Sequence, residues 1–166
     1  MSRAKKEQIT NEIDPNGTKR WYLNGMIHRE DGPAIEHADG SRYWYLNGMI
    51  HREDGPAIEE ISGSQEWRKQ GERHREDGPA VINSNGAKFW YLNGVLHREN
   101  GPAVEQPNGY EAWYKNGRLH RIDGPAIIHN NHFQYWLHNS IVDPKLMERS
   151  HPDLYNDYLI RSTMTS

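Results

Sequence analysis

Five His-Arg pairs stand 23 residues apart: His28-Arg29, His51-Arg52, His74-Arg75, His97-Arg98 and His120-Arg121. An arginine fork meets phosphate or carboxylate through two parallel hydrogen bonds, and imidazole adds another donor. An even row of such pairs suggests a grip on small anionic ligands such as nucleotides. The neighbouring acids suggest the opposite. Asp31, Asp54, Asp77 and Asp123 lie two residues past an arginine, and Glu30, Glu53, Glu76 and Glu99 lie one past. On that second reading each arginine pairs with a local acid, and the row is a structural ladder. The histidines lack the neighbours that would complete a ligand set, so no metal is expected.

Other chemistry is absent from the sequence. There is no nucleophile elbow, phosphate loop or pair of carboxylates in a non-repeating context. A catalytic site needs one asymmetric constellation, whereas this chain offers near-equal copies of one turn. The expectation is therefore no enzyme, no catalytic residue and no cofactor.

The residues that could bind must be positioned by the repeat itself. All six tryptophans keep the same step, at Trp21, Trp44, Trp67, Trp90, Trp113 and Trp136, and the 15 glycines fall on only three positions of the unit. From tryptophan the unit reads W-Y-x-N-G-x-x-H-R-x-D-G-P-A-[IV], followed by a variable stretch with a second glycine turn. Asn-Gly between aromatic and apolar residues signals a two-residue hairpin, because a type I′ turn needs positive φ twice. Asn24-Gly25, Asn47-Gly48, Asn93-Gly94 and Asn116-Gly117 fit it, and Gln70-Gly71 is a weaker version. Segments such as Arg42-Tyr43-Trp44-Tyr45-Leu46 are rich in strand formers. Asp-Gly-Pro-Ala should interrupt the return strand, since proline cannot donate to a ladder.

The predicted fold is all-β: an elongated antiparallel β-hairpin repeat array, single-layer or an open solenoid, with a short C-terminal helical cap. The array covers residues 1–142: a half unit at 9–20, units at 21–43, 44–66, 67–89, 90–112 and 113–135, and a partial unit at 136–142. Residues 143–166 form a separate cap or docking segment. Two strands per unit predict an advance of about 10 Å per unit and an array of about 55 Å. Stability should come from nearest-neighbour stacking, with the ends capped.

Composition narrows the functional classes. Twenty basic side chains oppose 23 acidic ones, for a net charge of −3. That balance gives no global field for nucleic acid or an anionic membrane, and no sequence-specific nucleic-acid binding is expected. Without cysteine there is neither a disulfide framework nor a thiolate metal site. A mean hydropathy of −1.03 and the absence of a long apolar run predict no membrane span. A cytoplasmic location is the expectation.

The unit resembles a MORN repeat or a close variant, on Trp44, Asn47-Gly48, His51, Gly55 and the later turn at Gly63. The likeness covers about residues 9–142. It departs where arginine follows histidine and in the Asp-Gly-Pro-Ala text. The H-R-x-D-G-P-A form resembles repeats in proteins of bacteriophages and giant viruses, which implies the host cytoplasm as the location if the source is viral. What the resemblance implies is a non-catalytic array that binds proteins or lipids and supports self-association.

If the shared positions build the frame, activity should lie in the departures. In the third unit Tyr-Leu-Asn-Gly-Met-Ile becomes Arg68-Lys69-Gln70-Gly71-Glu72-Arg73. Arg68, Lys69, Glu72 and Arg73 thus form a candidate partner-binding patch, joined two units later by Lys115 and Arg118. In the C-terminal segment, Asp143-Pro144 resembles a helix start, and Ser150-His151-Pro152-Asp153 resembles another. Leu154, Tyr155 and Tyr158 would share one helix face, serving either as a cap on the last unit or as contacts to a partner or a second copy in a homodimer. The expected function is a repeat scaffold that binds a protein, with a host factor such as a defence component as one candidate. The alternative is a sponge that sequesters small anions such as nucleotides through the ten His and Arg positions.

Overall fold

The structure is a computed structural model that describes residues 9–143 and 151–164. Among them lies one 13-stranded antiparallel sheet whose strands follow nearly in chain order, with five two-stranded hairpins beside it. The sheet is open rather than closed into a barrel. The unit around Trp44 shows how it is built. Arg42–Tyr43 pairs with Ile58–Glu59, which pairs onward with Gln65–Glu66 around the turn at Gly63. After Trp44 the chain continues as Tyr45–Leu46, turns at Asn47-Gly48 and returns as Met49–Ile50.

The two strands expected per unit therefore appear as four short ones. The tryptophan is where the chain crosses from one ladder to the other. Trp44 N–H donates to Ala57 O at 2.9 Å, and its carbonyl accepts from His51 N–H at 3.0 Å. Between these two ladders the His-Arg-Glu-Asp-Gly-Pro segment leaves the sheet as a loop, because Pro56 has no N–H to give. The chain rejoins at the alanine; Ala34, Ala57, Ala80, Ala103 and Ala126 are completely buried. Adjacent units are stitched by the backbone: Gly48 N–H donates to Ile27 O, and Gly71 N–H donates to Ile50 O, both at 2.8 Å.

The hairpin turns take the predicted conformation. Asn47 has φ 51° and Gly48 φ 78°, the left-handed pair of a type I′ turn. Gln70 adopts φ 51° in the same place without asparagine's local compensation.

The tryptophan ladder does not run to Trp136. The turn that closes the fifth unit is one residue shorter than its counterparts. Ile128 pairs with Phe133 there, leaving four residues between them, where Glu36 and Arg42 enclose five. Every later position slips by one. Val142 N–H donates to Tyr135 O, as His51 does to Trp44, so Tyr135 holds the tryptophan place and Trp136 the tyrosine place. The last hairpin turns at His138-Asn139, with φ 48° and 70°.

The segment after the array contains a helix at Pro152–Met164, with proline in its first position. The start expected at Asp143-Pro144 falls outside the described residues beyond Asp143. The helix closes over the last unit. Leu154, 1 % exposed, packs with Tyr135, 4 % exposed, among Phe133, Leu137 and Val142. Tyr135 donates its hydroxyl to Asp157 at 2.9 Å, and Arg161 reaches the same carboxylate at 2.8 Å. Burial, reinforced by that bond, pushes the Tyr135 phenol well above its ordinary range. Among the described residues no helix is long and apolar enough to cross a membrane.

Candidate functional site

Strand alternation puts Trp44 and Leu46 on one face and Tyr43 and Tyr45 on the other. The first face carries the His-Arg loops, and each arginine folds back over its own tryptophan. The Cζ atoms of Arg29, Arg52, Arg75, Arg98 and Arg121 stand 4.2, 4.1, 4.0, 3.9 and 4.0 Å from the ring centroids of Trp21, Trp44, Trp67, Trp90 and Trp113. The glycine of Gly-Pro-Ala covers the opposite side. A Cβ on Gly55 or Gly78 would stand 2.9 Å from the arginine Cζ. Close approach to the guanidinium, not positive φ, is what favours glycine here.

Polar contacts complete the clamp. Arg52 Nε donates to Asp54 Oδ1 at 2.8 Å and Nη1 to Pro56 O at 3.2 Å. Arg29, Arg75 and Arg121 repeat both bonds. Arg98 lacks the aspartate, because Asn100 replaces it, but keeps the bond to Pro102 O and binds Glu105, as Arg29 binds Glu36 and Arg52 binds Glu59. The arginine bonds hold Asp31, Asp54, Asp77 and Asp123 below the usual carboxylate range. These forks are thus engaged on both faces and along one edge.

The histidines are equally committed. His28 Nδ1 accepts the N–H of Asn47 in the next unit's turn at 3.0 Å. His51, His74, His97 and His120 accept in the same way from Gln70, Asn93, Asn116 and His138. The other ring nitrogen, Nε2, points to the following glutamate: 3.6 Å to Glu30, 3.2 Å to Glu53, 3.6 Å to Glu76 and 3.1 Å to Glu99. His120 has Ile122 in place of the acid, and it stacks on His138 at 4.3 Å. Burial, with His138 and Lys115 nearby, lowers its pKa.

What the face presents outward is carboxylate. Successive loops wall off clefts with a tryptophan and the residue two past it on the floor. One cleft of about 520 Å³ lies over Trp44 and Leu46 between the loops of Arg29 and Arg52. Another of about 520 Å³ lies over Trp90 and Leu92 between the loops of Arg75 and Arg98. A third, about 670 Å³, lies over Trp67 and Lys69. Their rims carry Glu30, Glu53, Glu76 and Glu99, acids that the sequence reading treated only as countercharges.

The third-unit patch is not free positive charge. Arg68 and Arg73 stand opposite each other across the hairpin, and Glu66 binds both, at 2.8 and 3.0 Å. Burial raises the Glu66 pKa, but the bonds from Arg73 and Arg68 outweigh it, and the net shift is downward. Arg73 also lies 5.3 Å from the Tyr91 ring centroid. Lys69 binds Glu53 at 3.4 Å, and Lys115 binds Glu99 at 3.1 Å. Glu72 lies along Gly94 of the next turn, and Arg118 faces Lys115 across its hairpin. On the helix, Leu154 is a core residue, which fits the cap, one of the two roles expected for that face. Tyr155 and Tyr158 pack partly buried against the same cluster. Among the described residues no group of three or more His, Asp or Glu is arranged to hold a metal ion.

No protein-family model matches the sequence, and no curated protein matches it.

Proposed function

We propose that this chain is a non-enzymatic binding scaffold that engages a protein partner along its cleft face. The observation that carries this reading is the division of labour within each loop. Arginine and histidine hold the loop to its tryptophan and to the next unit, while glutamate and aspartate project from it. A sponge for small anions fits that arrangement less well. Its guanidinium groups would have to leave a tryptophan, a proline carbonyl and an acid to meet a phosphate. The likeness of the repeat to viral proteins makes a host protein, such as a defence component, the partner class we put first. The array offers several similar clefts in line, which suits an extended surface better than one small molecule.

The test is to immobilise the full chain, capture from host lysate and analyse the eluate for both proteins and small molecules. A stoichiometric protein, with no nucleotide released on denaturation, is the expected result. A stoichiometric phosphorylated small molecule with no protein would overturn the proposal in favour of the sponge.

A further inference from the structure

The clefts alternate in one respect. Two of the four rim glutamates already hold an ammonium ion supplied by this chain. Glu53 takes Lys69 and Glu99 takes Lys115, each lysine lying two past the tryptophan of the following unit. In the intervening clefts that position is Leu46 or Leu92, and the corresponding acids, Glu30 and Glu76, have no Lys or Arg partner among the described residues. The difference is visible in the acids themselves. Glu30 and Glu76 side chains are each 83 % exposed, against 66 % for Glu53 and 60 % for Glu99. The Glu–His distances follow the same alternation: 3.6 Å at Glu30 and Glu76, 3.2 Å at Glu53 and 3.1 Å at Glu99. The cleft over Trp67 is no smaller than the others, so Lys69 takes the carboxylate and leaves the space.

We infer that the clefts over Trp44 and Trp90 are lysine-binding sites, which take from the partner the ammonium group that Lys69 and Lys115 supply internally. This inference rests on the scaffold reading and names the partner's chemistry. Trp and Leu on the floor suit the four-carbon stem of lysine, and the rim carboxylate suits its head. The two open clefts are two units apart, which is four strand spacings or about 19 Å. An extended segment covers that distance in about six residues at ~3.3 Å each, and residues six apart point the same way. The structure therefore fits a strand-like partner segment bearing Lys-x5-Lys and running along the array.

The probe is a capped 13-residue peptide of otherwise neutral residues with two lysines six apart, titrated against the full chain by fluorescence anisotropy. A peptide with the lysines three apart carries the same charge and serves as control. The six-apart peptide should bind more tightly. Glu30→Gln and Glu76→Gln should each weaken it about fivefold, the size of a partly desolvated ion pair with an aromatic neighbour. Glu60→Gln, an exposed acid at the Gly63 turn and outside these clefts, should leave it unchanged. Leu46→Lys with Leu92→Lys gives each of the four rim glutamates an internal lysine and should abolish binding. That variant copies units that fold in this same chain, and its melting curve checks that it does. No binding of the six-apart peptide, equal binding of the two spacings, or binding that survives Leu46→Lys/Leu92→Lys overturns the inference. If lysate capture of a protein also survives that double variant, the scaffold stands and only the lysine sites fail.

Discussion

Replacing Gly55 by alanine tests whether the arginine is a structural clamp. The new Cβ would stand 2.9 Å from Arg52 Cζ. A flexible side chain ordinarily moves aside at little cost. Arg52 cannot do so freely, because Trp44 lies 4.1 Å behind it and Pro56 O holds Nη1 at 3.2 Å. Displacing the guanidinium loses a cation–π contact of about 1 kcal/mol and a hydrogen bond of about 1 kcal/mol. The substitution returns roughly 0.5–1 kcal/mol by restricting the unfolded chain. A net loss of about 1 kcal/mol remains, which for a chain of this length lowers the melting temperature by about 2–4 °C. Thermal unfolding followed by tryptophan fluorescence measures it. The decisive control is the same substitution on an Arg52→Met background, where no guanidinium needs to move and Gly55→Ala should be neutral or slightly stabilising. An equal loss on both backgrounds would refute the clamp and make the glycine a backbone requirement.

Other consequences are equally direct. Asp31, Asp54, Asp77 and Asp123 have lowered pKa values in the folded chain, so the stability they add is present above the unfolded value near 4 and is lost as pH falls below it. Urea midpoints should drop from pH 5 to pH 2.5, and the drop should shrink when all four become asparagine, as Asn100 already is in the fourth unit. His120 shifts downward, so its neutral form favours folding and that contribution falls as pH drops through 6.5; its imidazole proton signals should titrate with a midpoint below that value. Glu66→Gln leaves Arg68 and Arg73 facing each other and should cost roughly 1–3 kcal/mol. The triple change Glu66→Tyr, Arg68→Tyr and Arg73→Ile restores the pattern of the second unit and should recover that loss in the same urea titration. Leu154→Ala should cost about 2–4 kcal/mol locally; hydrogen exchange should accelerate around Tyr135 and leave the units near Trp44 unchanged, since repeats couple mainly to neighbours.

The regular part of this architecture was legible because each turn has a local cause. Asn47-Gly48 accepts positive φ at little cost, and Pro56 has no N–H to give a ladder, whatever surrounds them. The slip at the fifth unit was hidden because the 23-residue spacing of Trp136 is preserved while the turn before it shortens. The signals were the missing glycine at Asn130-Asn131 and the His138-Asn139-Ser140 text, which mark the turn residues but not the register. The site was half legible. That Arg29 meets Asp31 follows from two-residue proximity. That Arg29 also lies on Trp21, eight residues back, depends on how the loop folds over the sheet. Lys69 and Lys115 stood out as departures, but their partners Glu53 and Glu99 lie sixteen residues earlier in the chain. Their distinction from Glu30 and Glu76 emerges only when adjacent units are stacked.

On the proposed function the projecting acids, and not the clamped arginines, make the binding face. That is tested by native mass spectrometry of the complex captured from lysate, using the wild-type chain and one carrying Glu→Gln at Glu30, Glu53, Glu76 and Glu99. These side chains are exposed, so the variant should fold. A protein partner should be present on the wild-type chain and lost from the variant. A partner retained at full occupancy by the variant, or a phosphorylated small molecule in its place, would rule out the acids as the binding face.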